Sequence, residues 1–170
     1  MRRMTVRTVD VHADVGEVVL ALVDDVDGTV LPVTIGPREG AAIASALAGI
    51  APPRPLTHDL LLTLVRAAGG EVAHVEIVAL RHGVFFAEVV LDDGARVDSR
   101  ASDAVAIALR ADVAVLCAPD VLAAAGERPL DHGGHQGSSA STGAPGESEL
   151  AEFRAFLDRV EPEDFGDADS

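Results

Sequence analysis

Lysine, tryptophan and tyrosine are absent from this chain, and cysteine occurs once, at Cys117. A single thiol excludes an internal disulfide and a thiolate-rich metal site, and its apolar setting, "VAVLCA", reads as core. Of the five phenylalanines only Phe85 and Phe86 precede residue 150, which excludes an aromatic platform for stacking bases. All 13 basic residues are arginine, against 28 acidic ones, for a net charge of -15. Such a field attracts no polyanion, so any nucleic-acid contact must be local or bridged by metal ions. No apolar run approaches the length of a membrane span, and the N-terminal "MRRMTVRTVDVHADVG" lacks the apolar stretch of a signal peptide. The expectation is a cytoplasmic protein with no membrane partner. A P-loop, a dinucleotide fingerprint and a paired-histidine helix motif are missing as well.

What is present suffices for one core. Hydrophobic residues make up 48% of 170 positions, which suits a single domain at residues 1–130. Residues 131–146, "DHGGHQGSSASTGAPG", hold almost nothing to bury and are expected as a flexible linker. His132, His135, Ser138, Ser139 and Ser141 fall there, where a fixed ligand or nucleophile is not expected. Residues 147–170 form an acidic tail in which Leu150, Phe153, Phe156, Leu157 and Val160 describe the apolar stripe of a short helix ending near Pro162.

Within residues 1–130 the alternation predicts strands at 5–13, 17–25 and 29–35, then helices at 37–49 and 57–70. A second round follows, with strands at 71–80, 84–93 and 95–100, a helix at 101–112, a short strand at 113–118 and a helix at 119–126. An offset of 64 superposes Glu39 on Asp103, Ala42 on Ala106, Ile43 on Ile107 and Ala44 on Ala108. The implied fold is α+β, built from duplicated units of three antiparallel strands and two helices that share one core. The alanines of both first helices permit close backbone approach.

Chemistry could sit at three places, each with a structural explanation beside it. In "PRPLTHDLL", Thr57 suits an N-cap and Asp59 the positive end of a helix dipole. Helical projection puts Leu60, Leu61, Leu64, Val65 and Ala68 on the buried stripe, with Asp59 turned away and His58 at the margin. Both polar residues are thus free either to cap or to act as a catalytic pair. In "RVDSRASDA", alternation places Arg96, Asp98 and Arg100 on one strand face, which is either simply solvated or the wall of a cleft with Asp103. Glu39 and Asp103 each lie in a first helical turn, where a carboxylate complements the dipole. Taken together, Glu39, Asp59, Asp98 and Asp103 are oxygen donors suited to Mg²⁺ or Mn²⁺, and Arg54 and Arg100 could hold a phosphodiester.

"LPVTIGPREGAAIASALAG", "PRPLTHDLL" and "VDSRASDAVAIALR", in this order and spacing, resemble the bifunctional nuclease domain family (DUF151, DNase-RNase domain) over about residues 4–126. The resemblance implies a pseudo-barrel of duplicated units and nuclease activity on DNA and RNA. It implies Glu39, Arg54, Thr57, His58, Asp59, Asp98, Arg100, Ser102 and Asp103 as residues of interest. Ala101 departs from the family pattern, which commonly has proline there, without removing a functional group. The expected function is therefore a divalent-metal-assisted phosphodiesterase. His58, Asp59 and Asp103 are its catalytic residues, and Arg54, Thr57, Arg100 and Ser102 bind substrate. Glu39, Asp59, Asp98 and Asp103 hold Mg²⁺ or Mn²⁺. The expected partners are nucleic acid, a second copy of the chain, and a protein docking on the terminal helix. The charge, the linker and the amphipathic terminal helix also suit a regulatory or interaction module without catalysis.

Overall fold

The computed structural model describes residues 1–12, 16–50 and 52–128. The expected linker at 131–146 and the expected helix within 147–170 lie outside the described residues.

Strands β1 (Arg2–His12), β2 (Glu17–Asp24) and β3 (Val30–Ile35) form an antiparallel meander. Period-two alternation in β2 turns Val18, Leu20 and Leu22 inward, and β3 adds Leu31 and Val33. Asp24 ends β2 almost fully buried, at 2% exposure. Its carboxylate accepts from Arg2 Nε at 2.6 Å and from the Val26 amide at 2.9 Å, so it holds the β2–β3 turn. Helices α1 (Pro37–Leu47) and α2 (Thr57–Ala67) complete this half.

The second half repeats the meander with β4 (Val72–Arg81), β5 (Val84–Leu91) and β6 (Arg96–Arg100). His82 and Gly83 join β4 to β5 with φ of 51° and 79°. Two consecutive positive φ values match the twist of a tight hairpin, and glycine takes the second at no steric cost. Helix α3 (Ala101–Ala111), strand β7 (Ala114–Cys117) and helix α4 (Pro119–Ala125) follow. The sheet has seven strands in the order β3-β2-β1-β7-β4-β5-β6. β7 unites the halves, pairing antiparallel with β1 and parallel with β4.

α3 is the central helix: seven of its residues are buried, from Ala101 to Ala108, and it packs against β4, β5, β6 and β7. Ile43 of α1 is fully buried, and a Cβ at Gly40 would come within 2.7 Å of Val18 Cγ1. A glycine is what lets α1 approach β2 so closely. Leu20, Leu22, Leu31, Val75 and Ile77 are completely enclosed, each stabilising the fold by about 1.5–3 kcal/mol through burial.

The α+β class and the element order follow the expectation, and one helix departs from it. α2 does not bury Leu60, Leu61 and Leu64. Its single buried residue is Leu62, with His58, Asp59 and Val65 half-buried beside it. Leu60, Leu61, Leu64 and Ala68 of the expected stripe therefore face solvent, and Val65 alone turns inward. Thr57 is the first helical residue rather than the cap; Leu56 takes the cap position.

Candidate functional site

Three helices begin at nearly one place. α1 starts at Pro37, whose fixed φ suits a first helical position, and carries Glu39 in its first turn. α2 carries His58 and Asp59 in its first turn, and α3, capped by Arg100, carries Asp103. Side-chain contacts tie the three starts together. His58 Nε2 lies 3.1 Å from Asp103 Oδ1, Arg100 Nε donates to Asp103 Oδ2 at 2.7 Å, and Arg100 Nη1 lies 3.0 Å from Glu39 Oε1. The partial positive charge of each helix start favours anions here, and Glu39 and Asp103 take part of that favour themselves.

The backbone makes room for this cluster. Gly36 precedes α1, and a Cβ there would overlap Glu39 Oε2, so the missing side chain is the space the Glu39 carboxylate occupies. Burial works to raise the pKa of Asp103, but hydrogen bonds from Arg100 and His58 outweigh it and hold the carboxyl below its usual range. The Asp103 hydrogen bond and charge raise the Arg100 pKa in turn. At neutral pH the cluster thus holds an ionised Asp103 and a guanidinium. A neutral His58 that donates its Nε2 proton to Asp103 keeps a lone pair on Nδ1, able to accept a proton.

The other expected residues are placed differently. Asp59, neighbour of His58 in sequence, pairs with Arg110 Nε at 3.1 Å and accepts the Leu56 amide at 2.9 Å. Asp98 is exposed on β6, opposite Glu88. Ser102 is buried on α3, while Arg54 and Thr57 are exposed and make no side-chain hydrogen bond or ion pair with the cluster. A groove of about 410 Å³ runs beside the Asp59–Arg110 pair, between the end of α1, the following loop, α2 and α3.

The carboxylates do not fit a divalent ion as arranged. Among the described residues no three potential ligands gather at metal-binding distance. Asp103 spends both oxygens on His58 and Arg100, Glu39 faces Arg100, and Asp59 faces Arg110. An ion at this point would have to displace a guanidinium already neutralising the same charge.

Two features escaped the sequence reading. Arg110 is almost buried, with 9% of its side chain exposed, and donates to the Ala42 and Ala106 carbonyls while pairing with Asp59. It thereby joins α1, α2 and α3. The available signal was one arginine within the apolar run "AVAIALRAD". The second is a network on β4–β6. Glu76, 7% exposed, meets His74 Nε2 at 2.9 Å and Arg96 Nη1 at 2.6 Å, and Arg96 also reaches Glu88 at 2.6 Å. The Arg96 hydrogen bond lowers the Glu76 pKa, against burial and with help from His74.

The fold and cluster define a small α+β domain whose paired His58 and Asp103, with Arg100, sit at converging helix starts. The bifunctional nuclease domain matches residues 18–129 of this sequence, and the chain belongs to that family. It is also similar to the uncharacterized proteins MT1877 and Rv1829 of Mycobacterium tuberculosis, from strains CDC 1551 / Oshkosh and ATCC 25618 / H37Rv. Each is 44% identical over 135 residues, covering 79% of this chain and 80% of the relative. Among the described residues no helix is long and apolar enough to cross a membrane.

Proposed function

We propose that this protein is a nuclease cleaving phosphodiester bonds in DNA or RNA, with its site at the His58–Asp103–Arg100–Glu39 cluster. The observation that carries the reading is the 3.1 Å pairing of His58 with Asp103 at the meeting point of three helix starts, beside the Arg100 guanidinium. Family membership supports it independently.

In this proposal His58 Nδ1 takes the proton of the attacking water as its oxygen bonds to phosphorus, the P–O ester bond opposite breaks and its leaving oxygen takes a proton from solvent, and Asp103, held ionised, orients the imidazole and stabilises it once protonated. Arg100 exchanges part of its hold on Glu39 for a phosphate oxygen, and the exposed Arg54 adds a second cation along the strand. The helix starts stabilise charge developing on the phosphate. No step is routed through a divalent ion, because the donor oxygens are already engaged. The repeated order of three strands followed by a helix supports reading the domain as a duplicated unit closed into a pseudo-barrel.

The test is cleavage of end-labelled single- and double-stranded DNA and RNA, with EDTA, Mg²⁺ or Mn²⁺, by the wild type, His58→Ala and Asp103→Asn. The expected loss is about 10²–10⁴-fold for His58→Ala, with a smaller loss for Asp103→Asn. Equal activity in all three proteins would sink the site assignment. Activity present with Mg²⁺ or Mn²⁺ and lost with EDTA would show that an ion enters and rearranges the arginine pairs.

A further inference from the structure

The outward face of α2 is more apolar than its inward one. Leu60 and Leu64 lie at its centre, Leu61 and Ala68 on one flank, and Thr57 and Ala67 close by, with no charged side chain along that stripe. Ile50 lines the groove beside Thr63 and Leu56 immediately precedes the helix, and these five large side chains are between 39% and 61% exposed. The inward side buries only Leu62. A helix whose wider apolar stripe faces water is missing a partner.

We propose that this face is the twofold interface of a homodimer, with α2 packed antiparallel against α2 of a second copy. Three features favour that occupant. The stripe is bulky toward its start, at Leu56 and Leu60, and small toward its end, at Ala67 and Ala68. An antiparallel copy sets bulky against small, opposes the two helix dipoles, and places Leu60 of each chain against Leu64 of the other. The chain carries a net charge of -15, and this uncharged stripe is where two copies can meet without opposing carboxylates. The five side chains offer on the order of 350 Å² of apolar surface per copy. Two copies then bury roughly 700 Å², somewhat below the apolar share of a standard interface of about 1,600 Å², to which the polar rim adds. This inference does not rest on the nuclease reading.

Sedimentation velocity on the full chain over a wide concentration range tests it. The wild type is expected to be a dimer, Leu64→Glu a monomer with an unchanged circular dichroism spectrum, and Leu60→Ala/Leu64→Ala a dimer weakened at least about tenfold. Both positions are exposed and alanine favours helix, so the double variant decides the matter if Leu64→Glu fails to fold. A wild type that stays monomeric throughout would overturn the proposal, including the case where the chain's own C-terminal segment or another protein covers the stripe. A dimer indifferent to both variants would overturn it equally.

Discussion

His58 illustrates how far a local motif can mislead about its own partner. Side chains at adjacent positions of a helix point about 100° apart, so the His58-Asp59 pair in "PRPLTHDLL" was poorly placed to interact from the start. His58 instead reaches Asp103, forty-five positions away, and Asp59 reaches Arg110. Gly36 provides a sharper test of the same cluster. Its φ of -70° suits alanine, so Gly36→Ala should cost less than about 1 kcal/mol of stability in urea. The new methyl group, however, would occupy the volume of Glu39 Oε2 and turn that carboxylate away from Arg100. The expected result is a near-wild-type melt with a shifted NMR signal for the Arg100 guanidinium. An unshifted signal would mean that the Glu39 contact does not depend on this glycine. What was legible at this scale was the first-turn place of Glu39, Asp59 and Asp103 and the strand-end place of Arg100, because these are local features; the cap expected at Thr57 falls on Leu56. Their pairings were not, since tertiary packing decides them.

α2 carries the same lesson for elements. Helical projection groups Leu60, Leu61, Leu64 and Ala68 correctly on one side but adds Val65, which lies half-buried on the other, and periodicity does not say whether that side meets the core or another molecule. The existence, order and type of the strands and helices were readable throughout the described residues, since alternation and glycine punctuation are strong there. Arg110 holds the inward side of α2 beside the buried Leu62, a contact no periodicity announces. Arg110 binds a carbonyl of α1, a carbonyl of α3 and the Asp59 carboxylate of α2. Replacing it with methionine keeps much of the apolar stem but removes the side-chain bonds to the Ala42 and Ala106 carbonyls, which keep their helical amides, and leaves the half-buried Asp59 without its cation. The expected cost is about 1–3 kcal/mol by urea titration. Faster hydrogen exchange should concentrate in the α2 amides, and His58 should lose its fixed distance to Asp103. Uniform acceleration across the sheet instead would show that Arg110 supports the whole fold rather than the seating of α2.

For the whole molecule, two electrostatic effects oppose each other as pH falls. Protonating carboxylates relieves the repulsion of a chain with net charge -15, which favours folding. Protonating Glu76 and Asp103 removes their hydrogen bonds to Arg96, His74, Arg100 and His58, which opposes it. Both groups have folded pKa values below their usual ones, 4.5 for Glu76 and 3.8 for Asp103. Their contribution is therefore fully present above those values and is lost as pH falls through the lower, folded ones. General repulsion is screened over about 10 Å at 0.1 M salt, whereas the contacts around Glu76 span less than 3 Å and are half-buried. The paired carboxylates should win at moderate salt. Stability measured by urea titration is expected to hold steady from neutral pH to about 5 and to drop below the usual carboxylate range. Glu76→Gln should lower stability at neutral pH and flatten the acid limb, since it has no proton to take up there. Lowering the salt should move the stability maximum toward acid in both proteins by strengthening the repulsion. An acid limb of unchanged slope in Glu76→Gln would assign the acid sensitivity to other carboxylates and remove the β4–β6 network as its source.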